Sequence, residues 1–174
     1  MLRHKQKTIT SLTTETTQEM PGFFQPSAYF LVSGVGEGSY PLVAFDSALL
    51  RAGIGDVNLV RVSSIVAPGI PEITPQSLTA GTLVGIAYAR AVSETTGERI
   101  AAAVAIAHPE DDSRASVIME CSGVGSAKDI EILAIAMANE AMTNRGLTVR
   151  SVEVTSSEHI VEQAGCAIAA VVLM

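Results

Sequence analysis

The sequence predicts an α+β fold in which two β-sheets pack face to face with helices outside, and three observations carry that prediction. Strand-like segments outnumber helical ones, and two helical segments, starting at Pro41 and after Ser126, interrupt them along the chain. Several of the strands are unbroken, alanine-rich apolar runs, as expected of sheets covered on both faces. The chain has 174 residues, of which 48% are hydrophobic. That is enough for one domain that buries roughly 70% of its unfolded surface.

The elements follow in order. Met1 to Gln25 is polar, Thr-rich and aperiodic, and reads as a mobile arm ahead of one domain spanning 26–174. Ala28 to Ser33 is a first strand that ends in the glycine run 34–38, expected to be a flexible turn whose glycines supply positive φ. The run is not a dinucleotide fingerprint, because Ser39 stands where the final glycine belongs. Ser39 and Pro41 open a helix that Gly53 closes, with Leu42, Phe45 and Leu49 as its buried stripe.

Next comes an apolar-alternating strand, entered through Gly53 and Gly55, that carries Val57, Leu59 and Val62 and runs straight into Ser63-Ser64. Ile65 to Pro71 holds two prolines and reads as a loop. Thr82 to Arg90, Arg99 to His108 and Ser116 to Cys121 read as three strands separated by polar turns. Ser126 and Asp129 stand at capping-box spacing before a helix that ends at Arg145-Gly146, its stripe being Ile130, Leu133, Met137 and Ala141. Arg150 to Glu158 and Ala167 to Leu173 supply the closing strands.

Composition excludes some functions. A net charge of −7 and no Lys/Arg cluster argue against a nucleic-acid partner, while a cationic small substrate is compatible with the balance. Met1 to Glu19 lacks the continuous apolar core of a secretory signal, and with no long apolar span this points to a cytoplasmic protein with no membrane association. Cys121 and Cys166 lie far apart in apolar segments and read as free thiols. His4, His108 and His159 show no metal-ligand spacing, so no metal site is expected.

By itself a Ser-Ser pair after a strand is a turn or a helix cap. The wider context changes that reading. Pro41 to Gly55, then Asn58-Leu59-Val60-Arg61-Val62-Ser63-Ser64-Ile65, Val117-Ile118-Met119-Glu120, Glu158-His159 and Gly165-Cys166-Ala167 occur in an order and spacing that resembles the pyruvoyl-dependent arginine decarboxylases of archaea and some bacteria. The resemblance runs from about Ala28 to the C-terminus. It implies the four-layer αββα sandwich, and a homotrimer whose active sites lie between subunits.

The resemblance also implies chemistry. The chain would cleave itself between Ser63 and Ser64, and Ser64 would become a covalently bound pyruvoyl group, the electron sink for decarboxylating L-arginine to agmatine and CO2 in polyamine biosynthesis or acid resistance. Glu120 would donate the proton, from the end of an apolar strand where burial favours the proton-bearing form; its alternative reading is an exposed strand-end carboxylate. Asn58 would hold the Ser63 carbonyl during maturation, or else serve as a strand-entry side chain bonded to backbone. Asp46, otherwise a solvated flank residue, would receive the substrate guanidinium as a two-oxygen acceptor facing a planar fork of donors, with Leu42, Leu49, Gly55 and Val57 lining the substrate site. Asp56 and Cys121 depart from the family pattern and bear on pocket fit. Glu158 and His159 carry no role on this reading. The competing readings are a pyruvoyl decarboxylase for another amino acid and an uncleaved, non-catalytic trimeric interaction protein.

Overall fold

A computed structural model describes residues 24–174. The arm proposed for 1–25 lies, but for its last two residues, outside the described residues. Eight strands and two helices follow the order β1 (Tyr29–Gly38), α1 (Pro41–Arg51), β2 (Asn58–Arg61), β3 (Ile65–Val66), β4 (Leu83–Ser93), β5 (Arg99–Pro109), β6 (Ser116–Val124), α2 (Ala127–Asn144), β7 (Val149–Ile160) and β8 (Ala164–Leu173). One sheet has the order β1-β8-β4-β2 and the other β3-β6-β5-β7. Within them only β2 runs parallel to its neighbour, β4.

Alanine-rich strands set the layering. Along β5, Ile100, Ala102, Val104 and Ile106 face the other sheet, while Ala101, Ala103, Ala105 and Ala107 face α2. Along β8, Ala167, Ala169, Val171 and Leu173 face the opposing sheet, and Cys166, Ile168, Ala170 and Val172 face α1. Alternation with period two therefore buries both faces of β5 and β8, and α1 and α2 form the outer layers. The expected α+β sandwich is what the chain forms. Among the described residues, no helix is long and apolar enough to cross a membrane.

Both helices bury a different stripe from the one expected. In α2 the buried residues are Ile130, Ala134, Ala138, Ala141 and Met142, whereas Leu133 and Met137 are exposed. In α1 they are Ala44, Ala48 and Leu49; Leu42 is 74% exposed and Phe45 is half-buried. The cause is the same in each case. Small residues on the helix meet small residues on the sheet, so the helix approaches closely and its bulky side chains are pushed to the flanks.

The glycine run explains the closeness at α1, and corrects the expected turn. Gly34, Gly36 and Gly38 continue β1 in register with β8, and none has positive φ. Helix α1 lies directly on them: a Cβ on Gly36 would sit 2.4 Å from both Ala44 O and Ala48 N. Backbone cannot yield as a flexible side chain can, so Gly36→Ala should destabilise the fold by about 1–3 kcal/mol, the usual cost of overpacking. A denaturation midpoint unchanged by this substitution would show that α1 shifts freely.

Two further corrections concern the ends of strands. Strand β6 runs three residues past Cys121 to Val124, and Ile65–Val66, read as loop, pair with Val117 and Ser116 of β6.

Candidate active site

The site arises where the chain changes sheets. Strand β2 runs beside β4 as far as Arg61, and the Val62 N–H makes a last bond to Ile86 O (3.1 Å). Three residues later Ile65 is already paired with β6 in the opposite sheet. Packed sheets stand roughly 10 Å apart, so Val62, Ser63 and Ser64 carry the chain across that gap, with a bend at Ser64. Ser64 bears the strain: its φ of 33° makes it the one non-glycine residue with positive φ among the described residues. Such a conformation costs on the order of 1–3 kcal/mol and persists only where surroundings hold it.

Two bonds do the holding. The Ile118 N–H of β6 donates to Ser64 O at 2.9 Å, and the Ser64 hydroxyl donates to Glu120 Oε1 at 2.6 Å. Glu120 pairs with Val104, placing its side chain on the same face of β6 as Ile118 and Ser122, at the mouth of the space between the sheets. Ser122 spans that mouth by donating to Arg90 O of β4 at 3.0 Å.

Beside Glu120 opens a cleft of about 230 Å³ lined by Arg61, Tyr88, Ala89, Arg90, Glu120 and Ser122. Its cations are stacked on rings. The Arg61 guanidinium lies 4.9 Å from the Tyr88 centroid, the Arg90 guanidinium lies 4.6 Å from that of Phe45, and the two rings stack at 6.2 Å. Nothing in the sequence separated Arg61, Tyr88 and Arg90 from an ordinary solvated strand face; their meeting depends on the pairing of β2 with β4.

Ser63, Ser64 and Glu120 are thus brought together, and the other expected site residues are not. Asp46 and Leu42 are exposed on α1, Leu49 is buried beneath it, and Gly55 and Val57 line a shallow cleft of about 160 Å³ with Leu50 and Leu78. Asn58 also stands apart from Ser63 within one chain. It lies at the start of β2, five residues and roughly 16 Å of extended chain from Ser63, and its side-chain amide donates to Gly81 O at 2.8 Å. Within one chain it fastens the strand entry and does not reach the Ser63 carbonyl.

Glu158 and His159, without a role in the sequence reading, are structural fasteners. Glu158 accepts from the Ala127 N–H at the start of α2 and pairs with Arg99. His159 Nε2 lies 2.6 Å from Glu37 Oε1, and the Glu37 carboxylate also accepts from the Glu162 and Gln163 N–H groups. Desolvation raises the Glu37 pKa, but these hydrogen bonds outweigh it and leave the carboxyl below its ordinary value. His108 joins a separate cluster: its Nδ1 is 2.9 Å from Ser116 Oγ, its Nε2 is 3.2 Å from Glu153, and Glu153 accepts from the Tyr29 hydroxyl. Burial, then the Glu153 charge, pushes the Tyr29 phenol well above its usual range.

A strained serine whose hydroxyl is bonded to a carboxylate, next to an exposed peptide bond, suits conversion of that serine into an electrophile. The surroundings also fit a backbone-derived ketone at position 64, since Ile118 N–H already holds the adjacent carbonyl and Glu120 already faces the side chain.

The family model for pyruvoyl-dependent arginine decarboxylase matches residues 28–174. A pyruvoyl-dependent arginine decarboxylase of Methanocaldococcus jannaschii is 43% identical over 151 residues, covering 87% of this chain and 92% of the relative. One from Methanococcus maripaludis is 40% identical over the same length and coverage, and one from Pyrococcus abyssi is 31% identical over 86% of this chain and 95% of its own.

Proposed function

Because the chain belongs to the pyruvoyl-dependent arginine decarboxylase family, we propose that it cuts itself between Ser63 and Ser64 and then decarboxylates L-arginine to agmatine and CO2. The single observation that carries the reading is the strained Ser64, fixed between Ile118 and Glu120 at the crossing between sheets. The Ser64 hydroxyl oxygen attacks the Ser63 carbonyl carbon, the peptide C–N bond breaks, and an ester with a free Ser64 amine results. Loss of the Ser64 Cα proton then expels Ser63 as a carboxylate that keeps the former hydroxyl oxygen. The dehydroalanine left at position 64 takes up water and releases ammonia, leaving a ketone.

That ketone supplies the electron sink for the carbanion that forms as CO2 leaves. The chain's own residues do the rest. Glu120, having lost its Ser64 partner during maturation, is free to face the substrate and give a proton to the carbanion. Asp46 takes the guanidinium in paired, charge-assisted hydrogen bonds, with Leu42, Leu49, Gly55 and Val57 around the substrate chain. One chain holds these residues apart from Ser64, and Leu42, Leu50, Val60 and Leu83 are exposed apolar side chains. Both facts support a homotrimer in which a neighbour's α1 and the loop after it complete each site.

The test is direct. Purified protein should run as fragments 1–63 and 64–174 on a denaturing gel, the larger reacting with a carbonyl reagent, and should release CO2 from carboxyl-labelled L-arginine. A folded chain that stays whole and releases none would overturn the proposal. Asp46→Asn keeps the size and one acceptor but removes the charge, so it should mature normally and raise KM for arginine roughly ten- to a hundred-fold, the span of a charged hydrogen bond. Unchanged arginine kinetics would assign the guanidinium to another residue.

A further inference from the structure

The cleft beside Glu120 has a charge opposite to that of the protein. The chain carries a net charge of −7, yet this cleft brings two guanidinium groups to one carboxylate. Neither Arg61 nor Arg90 takes part in an ion pair among the described residues. Arg61 uses one N–H on Tyr88 O, at 3.4 Å, and both guanidinium groups lie over aromatic rings. A guanidinium offers five donors, so most remain free toward the cleft. Ordered, unpaired and adjacent to the reacting serine, they form an acceptor site for an anion.

We infer that Arg61 and Arg90 orient the substrate, receiving the α-carboxylate of arginine and keeping its guanidinium end away from Ser64. The inference rests on the decarboxylase reading and adds to it a recognition element for the end of the molecule that reacts. L-Arginine carries two cationic groups and one carboxylate. Entered backwards, its guanidinium would meet two like charges; entered forwards, its carboxylate meets two opposite ones. The product has lost the carboxylate and keeps both cations, so the same pair disfavours agmatine and helps discharge it. Overall acidity thus gathers a cationic substrate, and a local reversal of sign sets which way round it binds.

Because the carboxylate charge disappears as CO2 forms, this contact is stronger in the ground state than in the transition state. Its removal should weaken binding without slowing chemistry. The Arg61→Gln, Arg90→Gln double variant should raise KM for L-arginine at least about ten-fold, leave kcat undiminished, and be inhibited by lower agmatine concentrations than the wild type. Lysine at both positions restores the charge and should hold KM within a few-fold of the wild type. In the wild type itself, argininamide keeps both cations but has no carboxylate, and should bind at least about ten-fold more weakly than L-arginine. That measurement stands even where a variant fails to mature. Equal binding of argininamide and L-arginine, or variants whose KM and agmatine inhibition are unchanged, would overturn the inference while an active wild type preserves the decarboxylase reading. A wild type that releases no CO2 from arginine removes both.

Discussion

Ser64→Ala should leave the chain at full length, with no fragment ending at Ser63 and no carbonyl-reactive group. The substitution removes the oxygen that attacks the Ser63 carbonyl and, with it, the hydroxyl bond to Glu120. Alanine at a φ of 33° is as strained as serine, and the Ile118 N–H still holds the main-chain oxygen, so the crossing between sheets should keep its shape. Decarboxylation should be absent altogether, because the variant cannot form the electron sink. Ser63→Ala supplies the control. It retains the attacking hydroxyl and changes only the acyl side chain, so it should still cut. Fragments from Ser64→Ala, or an intact Ser63→Ala chain alongside them, would move the cut or the nucleophile to a different residue.

Glu120→Gln separates making the ketone from using it. Glutamine has the shape of glutamate and its amide oxygen can still accept from the Ser64 hydroxyl, so the 2.6 Å contact has a neutral counterpart and maturation should proceed. An amide does not give up a proton as a carboxylic acid does. Protonation of the carbanion then becomes limiting, and turnover should fall about 10²–10⁴-fold, the usual contribution of general acid catalysis. Gel, mass and turnover on one preparation decide the matter. A fully cleaved Glu120→Gln protein with wild-type turnover would exclude Glu120 as the proton donor, and an uncleaved one would assign the carboxylate to maturation instead.

How much of this was legible beforehand depended on the kind of residue involved. Strand order was readable because the apolar runs of β5 and β8 are long and bounded by polar turns. The start of α2 was readable because Ser126 and Asp129 satisfy each other locally: the Asp129 N–H donates to Ser126 Oγ at 3.2 Å, and the Ser126 hydroxyl donates to the Asp129 carboxylate at 2.6 Å. The glycine run was misread because glycine has no side chain to show periodicity. Glycine that permits positive φ and glycine that permits a helix to touch a strand look the same in sequence. The helix stripes failed for a related reason, since close layers select alanine and hydrophobicity patterns favour leucine. In the site, Ser63, Ser64 and Glu120 could be named from motifs, but Arg61, Tyr88, Phe45 and Arg90 become neighbours only once β2 pairs with β4 and α1 lies across the sheet. Asn58 shows the limit of linear distance: five residues of extended strand carry it away from the serine whose motif it shares.

The position of the cut bears on how the protein can be assembled. In the sheet β1-β8-β4-β2, the two outermost strands both precede Ser64, while the two central ones follow it. Cleavage would therefore turn the N-terminal fragment into a clasp that grips both margins of β8-β4, with α1 across the same face. Uncut, the polypeptide folds by a unimolecular route at a rate independent of dilution. Once cut, any return from the unfolded state is a bimolecular encounter between fragments, slower in proportion as they are diluted, and its equilibrium acquires a concentration term. The chain would fold once as a single molecule and afterwards be held together by the clasp.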